Sequence, residues 1–569
     1  MKTSTQLVLL SFLAFGAQAQ AAPAQLFLTS DHCVACHVGL KSTKAEDVSI
    51  GFHWRSSVMA QAARDPYWQA SVRREVTDHG TAAAAIEDEC STCHMPMDHF
   101  QAHAAGRKGR VFANLAAAAP PASVAPAQDG VSCSVCHQIE PDKLGKPESF
   151  VGNFVIDMTG RLPRKAMGPF EVKPPLARLM SSATQFYPTQ APHIRSAELC
   201  ATCHTLFTEA LGPDGKPVGR LPEQVPYLEW RESAYRDGTT CATCHMPEVD
   251  GPAPIANLLS EPRPGLLRHE FLGGNFLLPA MLEHLRVPTP ATPQDFARDR
   301  AAVRALLSQE AARLKLGEVR LVAMAEPGFA RRSQNAGRDG NPPRVSMSTD
   351  GALDAEITIE NQAGHKLPTA YPSRRAWLHV VVKDGAGQVV FESGAVRSNG
   401  SIAGNDNDED PARFEPHHLV IEKPDQVQIF EAILGDARSR VTTGLLKAVR
   451  YLKDNRLLPV GFDKKGAPDD VAVRGTALAD PDFTDGSDRV RLHVPVKQDA
   501  APFTVEAELL YQPIGFRWAA NLRAVPGAEP PRFTRAYDAL AAVSFQRLAS
   551  AKATQVATPA TPAAATPAR

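Results

Sequence analysis

Residues Cys241-Ala-Thr-Cys-His245 spell a word that recurs as Cys33-Val-Ala-Cys-His37, Cys90-Ser-Thr-Cys-His94, Cys133-Ser-Val-Cys-His137 and Cys200-Ala-Thr-Cys-His204. All ten cysteines of the 569-residue chain fall in these five words. Cys-x-x-Cys-His is the attachment signature of c-type haem. Two thiols separated by two residues reach the two vinyl groups on one edge of a porphyrin, and the adjacent imidazole ligates the iron from below.

Other readings of the same cysteines explain less. Zinc half-sites do not need a histidine directly after each second cysteine. Redox dithiols occur once per fold beside a βαβ pattern. Five disulfides would leave His37, His94, His137, His204 and His245 without a reason. The expectation is therefore five covalent haems, held through Cys33, Cys36, Cys90, Cys93, Cys133, Cys136, Cys200, Cys203, Cys241 and Cys244. The five motif histidines are the proximal iron ligands.

Working outward, residues from about 25 to 285 read as short helices and loops, including a helix-like run from Arg55 to Val76. Such a segment has trouble burying enough apolar surface to offset its chain entropy. Porphyrins at roughly one per 50 residues would supply the missing core. Their propionates would make acidic a protein whose bare chain has 61 Lys plus Arg against 62 Asp plus Glu. That balance, with no basic stripe, argues against a nucleic-acid partner.

Before this segment, Lys2, the apolar run Leu7 to Phe15 and the small residues Ala17-Gln18-Ala19 read as a Sec-type signal peptide over 1–21, cleaved near Ala19 or Ala21. The expected location is the periplasm, with no transmembrane segment in the mature chain.

Thirteen further histidines are available for the sixth iron positions, eight of them before residue 285. A second histidine makes a six-coordinate electron-transfer haem, whereas an open position admits a substrate. The candidates are His53, ahead of the Arg55 run; His103 and, less favoured, His99, on one helical face; His193, seven residues before Cys200; His269; and His365. Met59, Met95, Met97 and Met246 read as packing residues. His365 lies in Asn361-Gln-Ala-Gly-His-Lys-Leu-Pro-Thr369, a loop placed at a strand end by its glycine and proline. It is expected to be donated across a domain boundary.

Two of the words extend to Cys-His-Met-Pro, at Cys93–Pro96 and Cys244–Pro247. With these, residues 30–285 resemble the multihaem c-type cytochromes of the cytochrome c-554 type. Pro226-Tyr-Leu-Glu-Trp-Arg-Glu-Ser233 is similar to that family's approach to its last haem. Gly-His-Lys-Leu-Pro-Thr and His-Glu-Phe-Leu-Gly-Gly-Asn are similar to its distal-histidine segments. The resemblance implies distal roles for His365 and His269 and a role in electron transfer. The fifth word and a long C-terminal extension depart from the family pattern.

In that extension, residues 291–320 read as a helical connector, with Phe296, Val303, Leu306, Leu307 and Leu314 along one face of a helix over 294–316. Alternating stretches follow at Ala355–Glu360, Trp377–Val382, Gln388–Glu392, Val490–Val496 and Thr504–Tyr511, with Asp384-Gly-Ala-Gly387 as a hairpin turn. They predict an immunoglobulin-like β-sandwich over 321–548, carrying His379 and His493 as ordinary strand residues and a helical insert near 440–456. The acidic run Asn405–Asp410 reads as a solvated loop, with calcium as the minor alternative and His417 and His418 as weak ligand candidates. An Ala/Thr/Pro-rich tail over 549–569 is expected to be disordered.

The fold class is thus α+β and multidomain: a haem-packed, mainly helical or irregular cytochrome domain over 22–290, then the sandwich. The expected function is electron carriage between periplasmic or membrane-bound redox proteins. The alternative is an oxidoreductase with one open iron acting on a small nitrogen or sulfur compound. Pentahaem nitrite reductases resemble this chain in haem count, but carry lysine for the motif histidine of their catalytic haem, and all five words here carry histidine.

Overall fold

The computed structural model describes residues 25–115, 125–323 and 350–555. The expected signal peptide and the end of the Ala/Thr/Pro tail lie outside the described residues.

The N-terminal half is built from short helices. Pro66–Asp78 starts where Asp65 accepts the N–H groups of Tyr67 and Trp68, and proline fills the first helical position, where its missing N–H costs nothing. The run expected from Arg55 to Val76 is broken: one helix ends at Ser56 and the next begins at Pro66, because proline has no N–H to continue a helix. Strands are few here. β1 (Arg164–Gly168) pairs in parallel with β2 (Phe186–Gln190), and β3 (Leu206–Leu211) forms a hairpin with β4 (Pro217–Gln224).

The C-terminal half begins with helix Pro293–Glu310, opened by a capping box between Thr292 and Asp295. The helix expected to reach 316 stops at Glu310. Leu314 instead lies on β5 (Ala312–Leu316), where it faces the sheet core. The strands that follow are β6 (Arg320–Ala323), β7 (Asp350–Asn361), β8 (Arg375–Lys383), β9 (Val389–Ser393), β10 (Val420–Ile421), β11 (Ile429–Asp436), β12 (Val441–Thr442), β13 (Ala448–Asp454), β14 (Ser487–Lys497), β15 (Thr504–Gln512) and β16 (Gln546–Thr554). One sheet runs β10-β14-β7-β5, with β6 also on β7; the other runs β12-β11-β8-β15-β16, with β9 on β8 and β13 on β11. Only the β10–β14 pair is parallel in these two sheets.

The sheets share one apolar core: Leu353, Ile357 and Ile359 of β7 and Leu492 and Val494 of β14 cluster with Val380 and Val382 of β8 and Val505 and Leu509 of β15. Each such fully buried side chain is worth about 1.5–3 kcal/mol. By contrast, the N-terminal half adds several small, separate apolar clusters of five to eight buried residues.

Three further expectations are corrected. Residues 440–456 form β12 and β13, separated by a single 3-10 turn, rather than a helical insert. The tail is ordered up to Thr554, since β16 adds to the edge of β15 and buries Leu548. The run Asn405–Asp410 is tied down by arginines: Asp408 holds Arg375 in a two-pronged pair at 2.8 and 2.9 Å, Asp406 pairs with Arg413 and Glu409 with Arg397. Among the described residues these carboxylates do not converge as a cation site.

Candidate cofactor cavity

Each word closes a helical turn. The N–H groups of His37, His137 and His204 bond to the carbonyls of Cys33, Cys133 and Cys200 at 3.1, 3.0 and 2.9 Å. Residues three apart in a helical turn share a face, so both thiols of a word point the same way. All five words turn that face to one cavity of about 1050 Å³, whose wall includes all ten cysteines and all five motif histidines. The thiols are free, and no set of three or more ligating atoms among the described residues includes a cysteine.

The motif imidazoles are oriented by their backs. Nδ1 of His37 meets the Ile255 carbonyl at 2.5 Å, that of His137 the Met167 carbonyl at 2.5 Å and that of His94 the Ala62 carbonyl at 3.1 Å; His245 bonds to the Leu272 carbonyl. A carbonyl there fixes the proton on Nδ1 and leaves the Nε2 lone pair for a metal. Burial also keeps these rings neutral, pushing His94 and His204 down to about 4.

Two further histidines face motif imidazoles. His269 lies opposite His137, with ring centroids 6.4 Å apart and planes 14° from parallel. His365 lies opposite His245 at 6.2 Å and 11°. Two metal–nitrogen bonds of ~2 Å each, with about 1.1 Å from each nitrogen to its ring centre, sum to about 6 Å. The spacing is that of two imidazoles on opposite faces of one metal. Their own Nδ1 atoms bond to the carbonyls of Leu267 and Lys366 at 3.0 and 2.8 Å.

His365 is held by charge buried between the two halves. The Lys366 N–H donates to Glu229 at 3.1 Å, and Glu229 pairs with Arg456 at 2.9 Å. Arg456 and the Lys366 ammonium both pair with Asp454 at 2.7 Å. Burial alone would raise the Asp454 carboxyl; Arg456 and Lys366 hold it well below the usual carboxylate range. Gly364 packs against Tyr235, where an added Cβ would sit 3.2 Å from the ring.

The words are not stacked in chain order. Cys33 lies within hydrogen-bonding reach of Cys133, Cys93 of Cys203, and Cys200 of Cys241. Cys136 lies near both Cys200 and Cys203. The fourth word is therefore the junction: it adjoins the second, third and fifth, and the first is reached through the third.

The remaining candidates are not brought to the cavity wall. His103 is exposed and bonds to Asp88 at 2.8 Å, and His99 turns to Ser91 and the same Asp88. His193 offers Nε2 to the Ile139 carbonyl at 2.7 Å. His53 is buried, but against Glu270 at 3.4 Å. His379 and His493 sit on β8 and β14, paired with strand carboxylates.

Other residues on the cavity wall carried no sequence signal. His32 lines it directly before the first word. Trp68 stacks on His94 at 4.2 Å and 5°. Around the second word the wall is polar, with Tyr67, Tyr371, Ser71, Glu75, Glu89 and Glu223. Burial pushes Glu223 up to about 7, and the buried Tyr67 hydroxyl lies close to Ser373 and Tyr371 without a well-formed hydrogen bond among the described residues. None of these stands in a spacing pattern; tertiary packing alone brings them together.

No family model and no curated protein matches the chain. Among solved structures it is similar to a penta-heme cytochrome c552 from Thermochromatium tepidum, at 15% identity over 94% of this chain and 100% of that one, with a TM-score of 0.49.

Proposed function

We propose that this chain is a periplasmic c-type cytochrome that holds five covalent haems and passes single electrons between redox proteins. One observation carries the reading: all five Cys-x-x-Cys-His words open onto a single cavity. The ten cysteines would form the thioethers, and His37, His94, His137, His204 and His245 would be the proximal ligands, with His269 and His365 opposite His137 and His245. Bound haem supplies a one-electron iron couple. The chain's own part is to fix the imidazole tautomers through backbone carbonyls and to keep apolar wall against the groups. The two-sheet half, read as an immunoglobulin-like sandwich, contributes His365 and closes one side of the cavity.

A specific observation favours the oxidoreductase reading at one word. Five irons have ten axial positions, and eight histidines line the cavity among the described residues. Around Cys90–His94 the wall offers tyrosine hydroxyls and carboxyls instead, among them Tyr67. That lining suits a small nitrogen or sulfur compound that accepts hydrogen bonds and protons.

The test is the haem content of the exported protein, followed by the visible spectrum of the dithionite-reduced form with and without carbon monoxide. Five haems and no response to carbon monoxide support the pure carrier. Five haems with a minor carbon-monoxide-binding fraction support an open iron as well. Absence of covalent haem refutes both.

A further inference from the structure

Two of the histidines that turn away from the cavity meet at a different site. His99 and His103 lie one turn apart on helix Pro96–Ala104, and Asp88 faces them from helix Ala83–His94. Asp88 Oδ1 lies 2.8 Å from His103 Nε2 and 3.3 Å from His99 Nδ1, and the ligating atoms of all three residues fall within 4.8 Å of one another. Four ligands at ~2.0–2.1 Å around a tetrahedral ion are spaced by about 3.3 Å. The two imidazoles, with ring centres 4.2 Å apart, converge on the same carboxylate oxygen. That oxygen also accepts the Gly109 N–H at 2.7 Å. The Gly109 backbone lies so close that an added Cβ would collide with the Ser91 hydroxyl and stand 3.3 Å from Asp88. The loop is therefore shaped to the cluster, while His103 stays open to solvent for an incoming ion and its waters.

We propose that Asp88, His99 and His103 bind one divalent transition ion of the zinc type. Two imidazoles and a carboxylate form a borderline donor set that prefers such ions to calcium or magnesium. The site is independent of the cavity, although it lies on the helix that carries the second word. Asp88 stands two residues before Cys90, and Ser91, inside the word, contacts His99.

The other cluster of this kind among the described residues, His417 with Asp480 and Asp488, is built differently. Nδ1 of His417 accepts N–H bonds from Gln428 at 2.8 Å and Asn455 at 3.0 Å. The oxygens of both amides are fixed by the backbone N–H groups of His418 and Glu431. The ring proton is therefore on Nε2 and points at Asp480, so no lone pair is left for an ion.

The experiment is equilibrium dialysis of the haem-loaded full chain against Zn²⁺, with metal content measured directly. The expected result is one bound equivalent, weakened at least about tenfold by H103Q and lost in H99Q/H103Q, with haem content unchanged. D88N, which retains an oxygen for the Gly109 N–H, should also lose the ion and serves if the double variant folds poorly. No Zn²⁺ bound below about 0.1 mM, or equal binding by wild type and all variants, overturns the site. Since the readout is zinc, its outcome is separate from that of the haem reading.

Discussion

His245 and His365 come from opposite halves of the chain, yet their rings face each other 6.2 Å apart and 11° from parallel. The fifth Cys-x-x-Cys-His word is completed only when the loop after β7 docks on the N-terminal half. If Cys241 and Cys244 carry a haem as proposed, H365A leaves both thiols in place, so haem content should equal that of wild type. One haem should become high-spin and reactive to carbon monoxide. Electron paramagnetic resonance and carbon monoxide difference spectra check this; an unchanged spectrum would remove His365 from the ligand set.

Breaking the buried network beneath that loop should be costly. Arg456 and Asp454 are almost fully buried, and Arg456→Met leaves Asp454 and Glu229 with a missing partner. Loss of one member of a buried ion set costs about 3–5 kcal/mol. Chemical denaturation of R456M should show that loss, whereas R491A, in an exposed pair with Asp354, should change stability by less than about 1 kcal/mol.

Burial and the neighbouring Asp480 push the Asp488 carboxyl up to about 7 from an ordinary value of 3.8. The folded state prefers the protonated form. The stability this contributes is complete below about pH 4 and is lost as pH rises through 7. D488N lacks the ionisation, so it should melt about 2–6 °C above wild type at pH 8 and close to it at pH 4. Melting curves at the two pH values check the sign; equal shifts at both would show that the carboxyl is ionised throughout.

Ser373 and Tyr371 lie close to the buried Tyr67 hydroxyl, but among the described residues none makes a well-formed hydrogen bond to it. Tyr67→Phe should leave the melting temperature unchanged or raise it slightly, by up to about 1 kcal/mol in stability. If an open iron lies beside it, the same change should raise the stretching frequency of bound carbon monoxide, because a hydrogen-bond donor is gone. A large drop in stability would instead give the hydroxyl a structural role.

The helical turns of the words and the alternating strands were legible because their causes are local. A Cys-x-x-Cys-His word folds as one turn wherever it sits, and the β7, β8, β14 and β15 patterns repeat with the two-residue period of a half-buried strand. The errors came where local signals are weak or tertiary pairing overrides them. Leu314 fits a helical face, yet the open edge of β7 draws it into β5. The Ala-rich start of the stretch from 549 resembles a tail, but the free edge of β15 pairs with it up to Thr554. A shared helical face favoured His103 and nearness to Cys200 favoured His193 as ligands; in the structure they bond to the Asp88 carboxylate and the Ile139 carbonyl.

By itself, the sequence determined the number of Cys-x-x-Cys-His words and the residues within each, because that pattern is a property of five consecutive residues. Only the tertiary structure decided that the fourth word is the junction of the array, that His269 and His365 stand opposite His137 and His245, and that His99 and His103 share Asp88. Those relations link residues far apart in the chain or on separate helices. They depend on how the short helices and two sheets pack around a common cavity, and no spacing in the sequence records that packing.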